Sequence, residues 1–465
     1  MAAEISVDRH FVAHALLIIV ITACFLLGGS ARGDVESLVV LRPLVAVALT
    51  GGLLCLSGHD LKRHRFLLGF SASLAALPLV HLIPLPPGVW ARLPGRELIA
   101  EIDRVAGLGA VWRPLTLAPE ATWNAFYASL VPLAVIVLGV HLGQKQRQFL
   151  LPLVLALAAC SVLVGLMQVR GPPDGALYFY RVTNNGVFVG MFANRNHQAL
   201  LVAMMLPMLG VLAAPLTRGS PKQRVVGLSL VAGGVALLPV LLMIGSRMGL
   251  IVGVAAILVL PALVGTRPII LQKSKARPHQ ELPPRYRRIA AWALAVVGAG
   301  VAALTVSWGQ GKALDRLLYR AVGSELRLQI IPTIKSMIVR YWPTGSGVGS
   351  FEKAYKINEP DALLGPEYVN HAHNDVLEVL VTTGAVGLVM FAVAAYAFVL
   401  AARRAWSAGG SQNSDRGLAK LGIVLIFLAA LASFGDYPLR APSLAAVFAV
   451  AVLWASCPAI SVEHA

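Results

Sequence analysis

Long apolar runs separated by short polar stretches recur from one end of the chain to the other. Runs near or above about 18 residues are long enough to cross a bilayer as a helix. They fall at residues 11–29, 37–57, 66–83, 124–142, 148–168, 198–215, 226–244, 249–266, 289–308, 374–401, 417–434 and 440–457. The pattern predicts an all-α integral membrane protein with about twelve transmembrane helices. No long polar block interrupts the series, so residues 1–465 read as a single polytopic membrane domain. The first run is too long for the apolar part of a secretory signal, and no small-x-small cleavage site follows it; it reads as a retained helix.

The polar stretches between the runs carry an orientation signal, because short cytoplasmic loops retain Lys and Arg. Every second loop is basic: Lys62, Arg63 and Arg65; Lys145 and Arg147; Arg218, Lys222 and Arg224; Arg267, Lys273, Lys275, Arg277, Arg285, Arg287 and Arg288; Arg403, Arg404 and Arg416. This parity predicts cytoplasmic termini and puts the other loops on the periplasmic side of a bacterial inner membrane. The longest of these, residues 309–373, is a periplasmic segment between the ninth and tenth helices.

Composition agrees with lipid as the solvent, since 57% hydrophobic and 13% charged residues lie far from soluble averages. The net charge of +17 then reports topology rather than nucleic-acid binding. Cys24, Cys55, Cys160 and Cys457 all fall in apolar runs, with no CxxC pair, so neither a disulfide framework nor a zinc site is indicated.

The candidate chemistry sits in the outer loops. Residues 84–123, rich in Pro and carrying Trp90 and Trp112, read as a structured cap with a packing role. Before the sixth run stands Asn194-Arg195-Asn196-His197, where Asn194 suits a helix cap. A cation such as Arg195 at a bundle mouth needs an anion or water, and His197 reads equally as structural or functional. In the tight turn Gly245-Ser246-Arg247-Met248-Gly249, Arg247 runs against the positive-inside trend, and its planar fork suits bidentate contact with phosphate. The alternative is a structural carboxylate partner.

The early part of the long segment carries Lys312, Arg316, Arg320, Arg327, Lys335 and Arg340, which suits anionic lipid heads. Gly345-Ser346-Gly347-Val348-Gly349 looks faintly like a nucleotide loop, yet no βαβ unit surrounds it. His371-Ala372-His373-Asn374-Asp375 ends the segment. Its two histidines have no evident further metal ligands, so general-base use, oriented by Asn374, Asp375 or Glu378, is the better reading. Asp436 and Arg440 in the last outer turn pair with one another on the favoured structural reading; alternatively Asp436 supports a neighbouring cation.

Together these motifs, in this order, resemble the O-antigen ligase and polymerase superfamily across roughly residues 120–455, with Gly384 and Gly387 following His373-Asn374 as in that family. The resemblance implies a membrane glycosyltransferase of GT-C-like fold. Its donor would be an undecaprenyl-diphosphate-linked glycan, and its acceptor a glycan or lipid A-core, in lipopolysaccharide, capsule or exopolysaccharide biosynthesis. It further implies no metal or other cofactor, membrane lipids as surroundings, and other polysaccharide-assembly proteins as partners. Carried over, Arg195 and Arg247 hold the diphosphate and His373 activates the acceptor, with Asn194, His197, His371, Asn374, Asp436 and Arg440 in support. A multi-pass transporter or export component is the alternative of another class. It is disfavoured because the ionisable residues gather at one face and no paired interrupted helices are evident.

Overall fold

The computed structural model describes residues 9–264, 327–365, 368–407 and 414–456. The expected span 289–308, the basic loop from Arg267 to Arg288, Lys312, Arg316, Arg320 and Cys457 lie outside the described residues.

Every other expected span is helical over most of its described residues. In chain order the helices are α1 (Arg9–Leu27), α2 (Leu38–Cys55), α3 (Gly58–Arg63), α4 (Arg65–His81), α5 (Pro87–Trp90), α6 (Glu97–Val105), α7 (Pro119–Gly139) and α8 (Gln144–Arg170). They continue as α9 (Arg195–Leu216), α10 (Pro221–Ile244), α11 (Arg247–Val264), α12 (Ile331–Tyr341), α13 (Phe351–Asn358), α14 (Asp375–Trp406), α15 (Ser414–Ala432) and α16 (Pro442–Ala455). Among the described residues, α1, α2, α7, α8, α9, α10 and α14 are long and apolar enough to span a membrane, and α4, α11 and α16 are shorter apolar helices. The protein is an all-α membrane protein.

α9 is the most enclosed of the long helices, with 72% of its apolar window buried. It packs against α8, α10, α11 and α15. Leu200 to Met208 sit within one continuous apolar core that also takes in α1, α2, α7 and α16. Close approach has local causes: a Cβ on Gly249 would lie 2.3 Å from the Ala199 Cβ, so this glycine lets α11 seat on α9.

The Pro- and Trp-rich segment after α4 folds as a cap. β1 (Pro84–Leu85) pairs antiparallel with β2 (Arg113–Pro114), and α5 and α6 lie between them. Trp90 is buried and donates its indole N–H to the Pro114 carbonyl at 2.8 Å, which fits the packing role, whereas Trp112 is exposed. A second apolar core, formed by Ile334, Met337, Tyr341, Phe351 and Tyr355 with Val381, fastens α12 and α13 to α14.

α14 is broken at Gly384 (φ 55, ψ −133). A break in a helix strands carbonyls that would accept from the next turn, and these must find other donors. Here the Val381 carbonyl accepts from the Ser346 N–H at 2.9 Å and the Thr382 carbonyl from the Gly347 N–H at 2.8 Å. The Ala385 N–H, freed by the same break, donates to the Pro343 carbonyl at 2.9 Å. The glycine-rich stretch of residues 345–349 is therefore a strap across a broken helix. The buried Arg96 guanidinium donates to the Gly345 carbonyl at 3.0 Å, and His81 Nδ1 accepts from the Val348 N–H at 2.9 Å.

The chain alternates between two ends. Gly28, Ala193, Ser433 and Ser443 meet at one, through Ala193 N–H to the Gly29 carbonyl, Ser443 N–H to the Gly28 carbonyl, and Asp375 N–H to the Ser433 carbonyl. At the other, the Trp454 indole N–H donates to the Arg147 carbonyl at 3.1 Å and His10 Nδ1 bonds the His141 carbonyl at 2.7 Å.

Candidate functional site

Three helix starts and one turn bring the expected residues to the first of these ends. α9 begins because Asn194 caps it, its side chain accepting from the Asn196 N–H at 2.9 Å. α10 stops at Gly245 in the left-handed region (φ 65), and the chain turns through Ser246 into α11. α14 begins at the Asn374 cap, which accepts from the Leu377 N–H at 3.1 Å. The fourth element is the turn from Ser433 to Ala441 between α15 and α16, which includes a 3₁₀ turn at Pro438–Arg440.

Asn196 ties these together. Its amide donates to Asp436 Oδ2 at 2.7 Å, and its carbonyl accepts from Ser246 Oγ at 2.8 Å. Asn194 adds a 3.3 Å bond to the same Asp436 oxygen. Arg195 and Arg247 are the chain neighbours of this bridge, and each opens its helix, α9 and α11 respectively. Arg195 is half-buried and Arg247 exposed, and the Arg195 N–H donates to Asn184 Oδ1 at 3.0 Å.

Asp436 is buried. His373 Nδ1 lies 3.4 Å from its other oxygen, a polar contact that falls short of a hydrogen bond. Burial opposes ionisation of Asp436, but His373, His197 and Arg327 outweigh it and hold the carboxyl well below the usual carboxylate range. His373 is also the one non-glycine residue of positive φ (49°) among the described residues. That conformation costs a non-glycine residue about 1–2 kcal/mol, and it persists where the surroundings over-determine it. Those surroundings are the Asn374 amide on the Phe434 carbonyl at 3.1 Å and the Asp375 N–H on the Ser433 carbonyl at 2.9 Å.

His371 belongs to a second network. Its Nδ1 is 3.0 Å from Glu378 Oε1, and Glu378 also accepts from the Ala372 N–H at 2.9 Å and pairs with Arg440 at 2.9 Å. Arg440 Nε stands 3.4 Å from Asp375. The expected Asp436–Arg440 pair is therefore corrected: Arg440 is committed to Glu378 and Asp375, whereas Asp436 serves the α9 cap and His373. Turning the chain through Pro438–Arg440 sends the two side chains to different neighbours. Burial lowers the Arg440 pKa, but Glu378 and Asp375 raise it further, and the net shift is upward.

Tyr437 joins the two networks. Its ring centroid is 4.1 Å from His371, 5.2 Å from His373 and 5.6 Å from His197. Burial and the Asp436 charge push its phenol up to about 12, so it stays neutral. His197 is buried between Tyr437 and Phe192, and neither of its ring nitrogens has a hydrogen-bond partner among the described residues. All the sequence-predicted site residues therefore lie on the four converging segments. Sequence reasoning missed the bridging part of Asn196 and the central place of Tyr437, for which the runs Asn194–His197 and Asp436–Arg440 were the only signals; it offered Glu378 as an orienting partner for the histidines, and Glu378 meets His371 rather than His373. Of the glycines flanking Arg247, Gly245 ends α10 and Gly249 seats α11 on α9.

An all-α bundle with the buried Asp436, Glu378 and His197 gathered at one end beside the partly exposed His371, His373 and Arg440 defines a polytopic membrane protein with a polar site at a helix-bundle mouth. The sequence model of the O-antigen ligase family matches residues 232–392, from within α10 to within α14, and this supports the chain's place in the O-antigen ligase and polymerase superfamily. The match supports an O-antigen ligase-family function in polysaccharide biosynthesis and a glycosyltransferase-like activity. Comparison with curated proteins finds none that matches.

Proposed function

We propose that this protein transfers or polymerises an undecaprenyl-diphosphate-linked glycan at the periplasmic face of a bacterial inner membrane, without a metal. The observation that carries this reading is the convergence of His373, Asp436 and the Asn196–Ser246 bridge at one end of the bundle, with Arg195 and Arg247 flanking that bridge. In the proposed reaction the acceptor hydroxyl gives its proton to the His373 imidazole as its oxygen bonds to the anomeric carbon of the donor. The bond from that carbon to the diphosphate breaks, and undecaprenyl diphosphate leaves. Asp436 facing Nδ1 would stabilise the imidazolium, as a carboxylate does behind a catalytic histidine. Arg195 and Arg247 would stabilise charge on the leaving diphosphate.

Deleting the gene tests the reading. Loss of transfer leaves lipid-linked glycan uncapped or unpolymerised; loss of the whole ladder on lipid A marks a ligase, and a single-repeat product marks a polymerase. Unchanged glycan with altered solute uptake would refute the proposal and favour transport.

A further inference from the structure

A cleft of about 370 Å³ opens at the same end of the bundle as the candidate site, between the α1–α2 loop and the segment that joins α8 to α9. That volume lies within the range of small-ligand sites. Its two walls are tied to each other and to the candidate site. The buried Tyr180 hydroxyl accepts from the Gly29 N–H at 2.6 Å, and the Gly29 carbonyl accepts at 3.1 Å from Ala193, the residue before the Asn194 cap. Thr183 Oγ1 donates to the Ala193 carbonyl at 3.0 Å, and Asn184 Oδ1 accepts from the Arg195 N–H. On the facing wall, Arg32 Nη1 donates to the Tyr368 hydroxyl at 2.6 Å, three residues before His371. One wall thus continues into Arg195, and the other is bonded to the segment that leads to His371 and His373.

The lining is polar without net charge, since Arg32 and Arg181 stand with Asp34 and Glu36. Arg32 grips Asp34 through two parallel bonds, Nε to Oδ1 at 2.8 Å and Nη2 to Oδ2 at 2.7 Å. The carboxylate is fixed in orientation, yet the Asp34 side chain is 48% exposed and its oxygens keep lone pairs for further donors. Arg181, 84% exposed and 3.6 Å from Asp34, has donors for a hydroxyl oxygen. Phe179, half exposed, adds an aromatic face. A sugar ring matches this combination: its hydroxyls both donate and accept, and its face of C–H groups packs on an aromatic ring. The balanced charge gives a phosphate no excess of cations and so favours a neutral, hydroxyl-rich ligand.

We infer that this cleft is a sugar-binding subsite, in which Asp34 and Arg181 hold hydroxyls and Phe179 packs on a sugar ring. The inference rests on the glycosyltransferase reading above and deepens it, because the cleft holds saccharide units beside those that react. The sugars belong either to the donor glycan or to the acceptor, which present the same chemistry.

The test uses the full chain purified in detergent and two probes. One is the oligosaccharide released by mild acid from undecaprenyl-diphosphate glycan of the same cells; the other is the core oligosaccharide released by mild acid from their lipopolysaccharide. Binding is followed by saturation-transfer NMR, and transfer from the intact lipid-linked glycan is measured in parallel. Phe179→Ala and Arg181→Gln should each bind one of the two oligosaccharides about two- to tenfold more weakly than wild type, and Phe179→Trp should bind it as wild type does. The oligosaccharide affected identifies the source. Both side chains are exposed, so the variants should keep the wild-type unfolding temperature. Equal binding of each oligosaccharide by wild type and variants, or binding of neither by wild type, would overturn the inference. So would binding of undecaprenyl phosphate that falls in Phe179→Ala with no response to either sugar. Sugar binding that the variants do not change, alongside normal transfer, removes the subsite and leaves the glycosyltransferase reading standing. Sugar binding that the variants weaken, with no transfer by wild type, supports the subsite and removes that reading.

Discussion

The side-chain amide of Asn196 donates to Asp436 Oδ2 at 2.7 Å across 240 residues of chain, while its carbonyl accepts from Ser246. One neutral side chain thus holds the α10–α11 turn and the α15–α16 turn against the start of α9. Asn196→Ala leaves a buried carboxylate short of a donor, at about 1–3 kcal/mol. Asn196→Asp keeps the shape but sets a second carboxylate against Asp436, and should destabilise more, by roughly 3–5 kcal/mol. Thermal unfolding of the two variants in detergent checks the order. An Asp variant as stable as wild type would mean that the bridge is not made.

The Asp436 charge predicts a pH window. Its carboxyl titrates lower in the folded chain than in the unfolded one, so its contribution is complete above the unfolded value of about 4 and is lost only as pH falls further, through the folded value. The difference in unfolding temperature between wild type and Asp436→Asn should therefore be level from about pH 5 to 8 as far as this group decides it, and should shrink in stronger acid. A difference that disappears between pH 8 and 6 would contradict the depressed carboxyl.

Gly384 holds a backbone conformation that other residues rarely adopt, and a Cβ there would fall 2.0 Å from the Pro343 carbonyl oxygen. Gly384→Ala should cost more than the roughly 1 kcal/mol typical of an ordinary substitution. It should also disturb the segment that carries His373 and Glu378. A lower unfolding temperature together with lost transfer is expected, and a variant matching wild type in both would show that the break in α14 is dispensable.

These three cases mark what the sequence could and could not say. Helix existence was legible because apolar length dictates it, and the cap at Asn194 follows from local side-chain chemistry; Asn374 was expected to orient a histidine, whereas it caps α14. The strap of residues 345–349 was visible only as glycines, because its purpose lies in carbonyls of α14 exposed by a break that the continuous apolar run 374–401 conceals. The tie of Asp436 to Asn196 and the carboxylate partners of Arg440 were illegible for a similar reason, whereas Asp436 beside a cation and Glu378 beside a histidine stood among the alternatives. Pairing between separate segments depends on which turns meet, and proximity along the chain favoured the Asp436–Arg440 pair that the fold does not make.

Arg247 and Arg195 flank the same bridge, and a diphosphate clamp predicts unequal tolerance. Arg247→Lys keeps the charge but loses the planar fork, so transfer should fall by about tenfold or more at normal protein level. Arg195→Lys should be milder. Rates of the two variants on lipid-linked glycan decide it; normal transfer by Arg247→Ala would move the clamp elsewhere.

The central claim is that His373 takes the acceptor proton. It is tested most directly by transfer from purified undecaprenyl-diphosphate glycan, with chelator present, by wild type, His373→Ala and His371→Ala, alongside donor binding for each. General-base catalysis commonly contributes about 10²- to 10⁴-fold. His373→Ala should lose turnover on that scale while binding donor nearly as wild type does, and His371→Ala should be affected less. Full turnover by His373→Ala, or loss of wild-type turnover on chelation, would contradict the account.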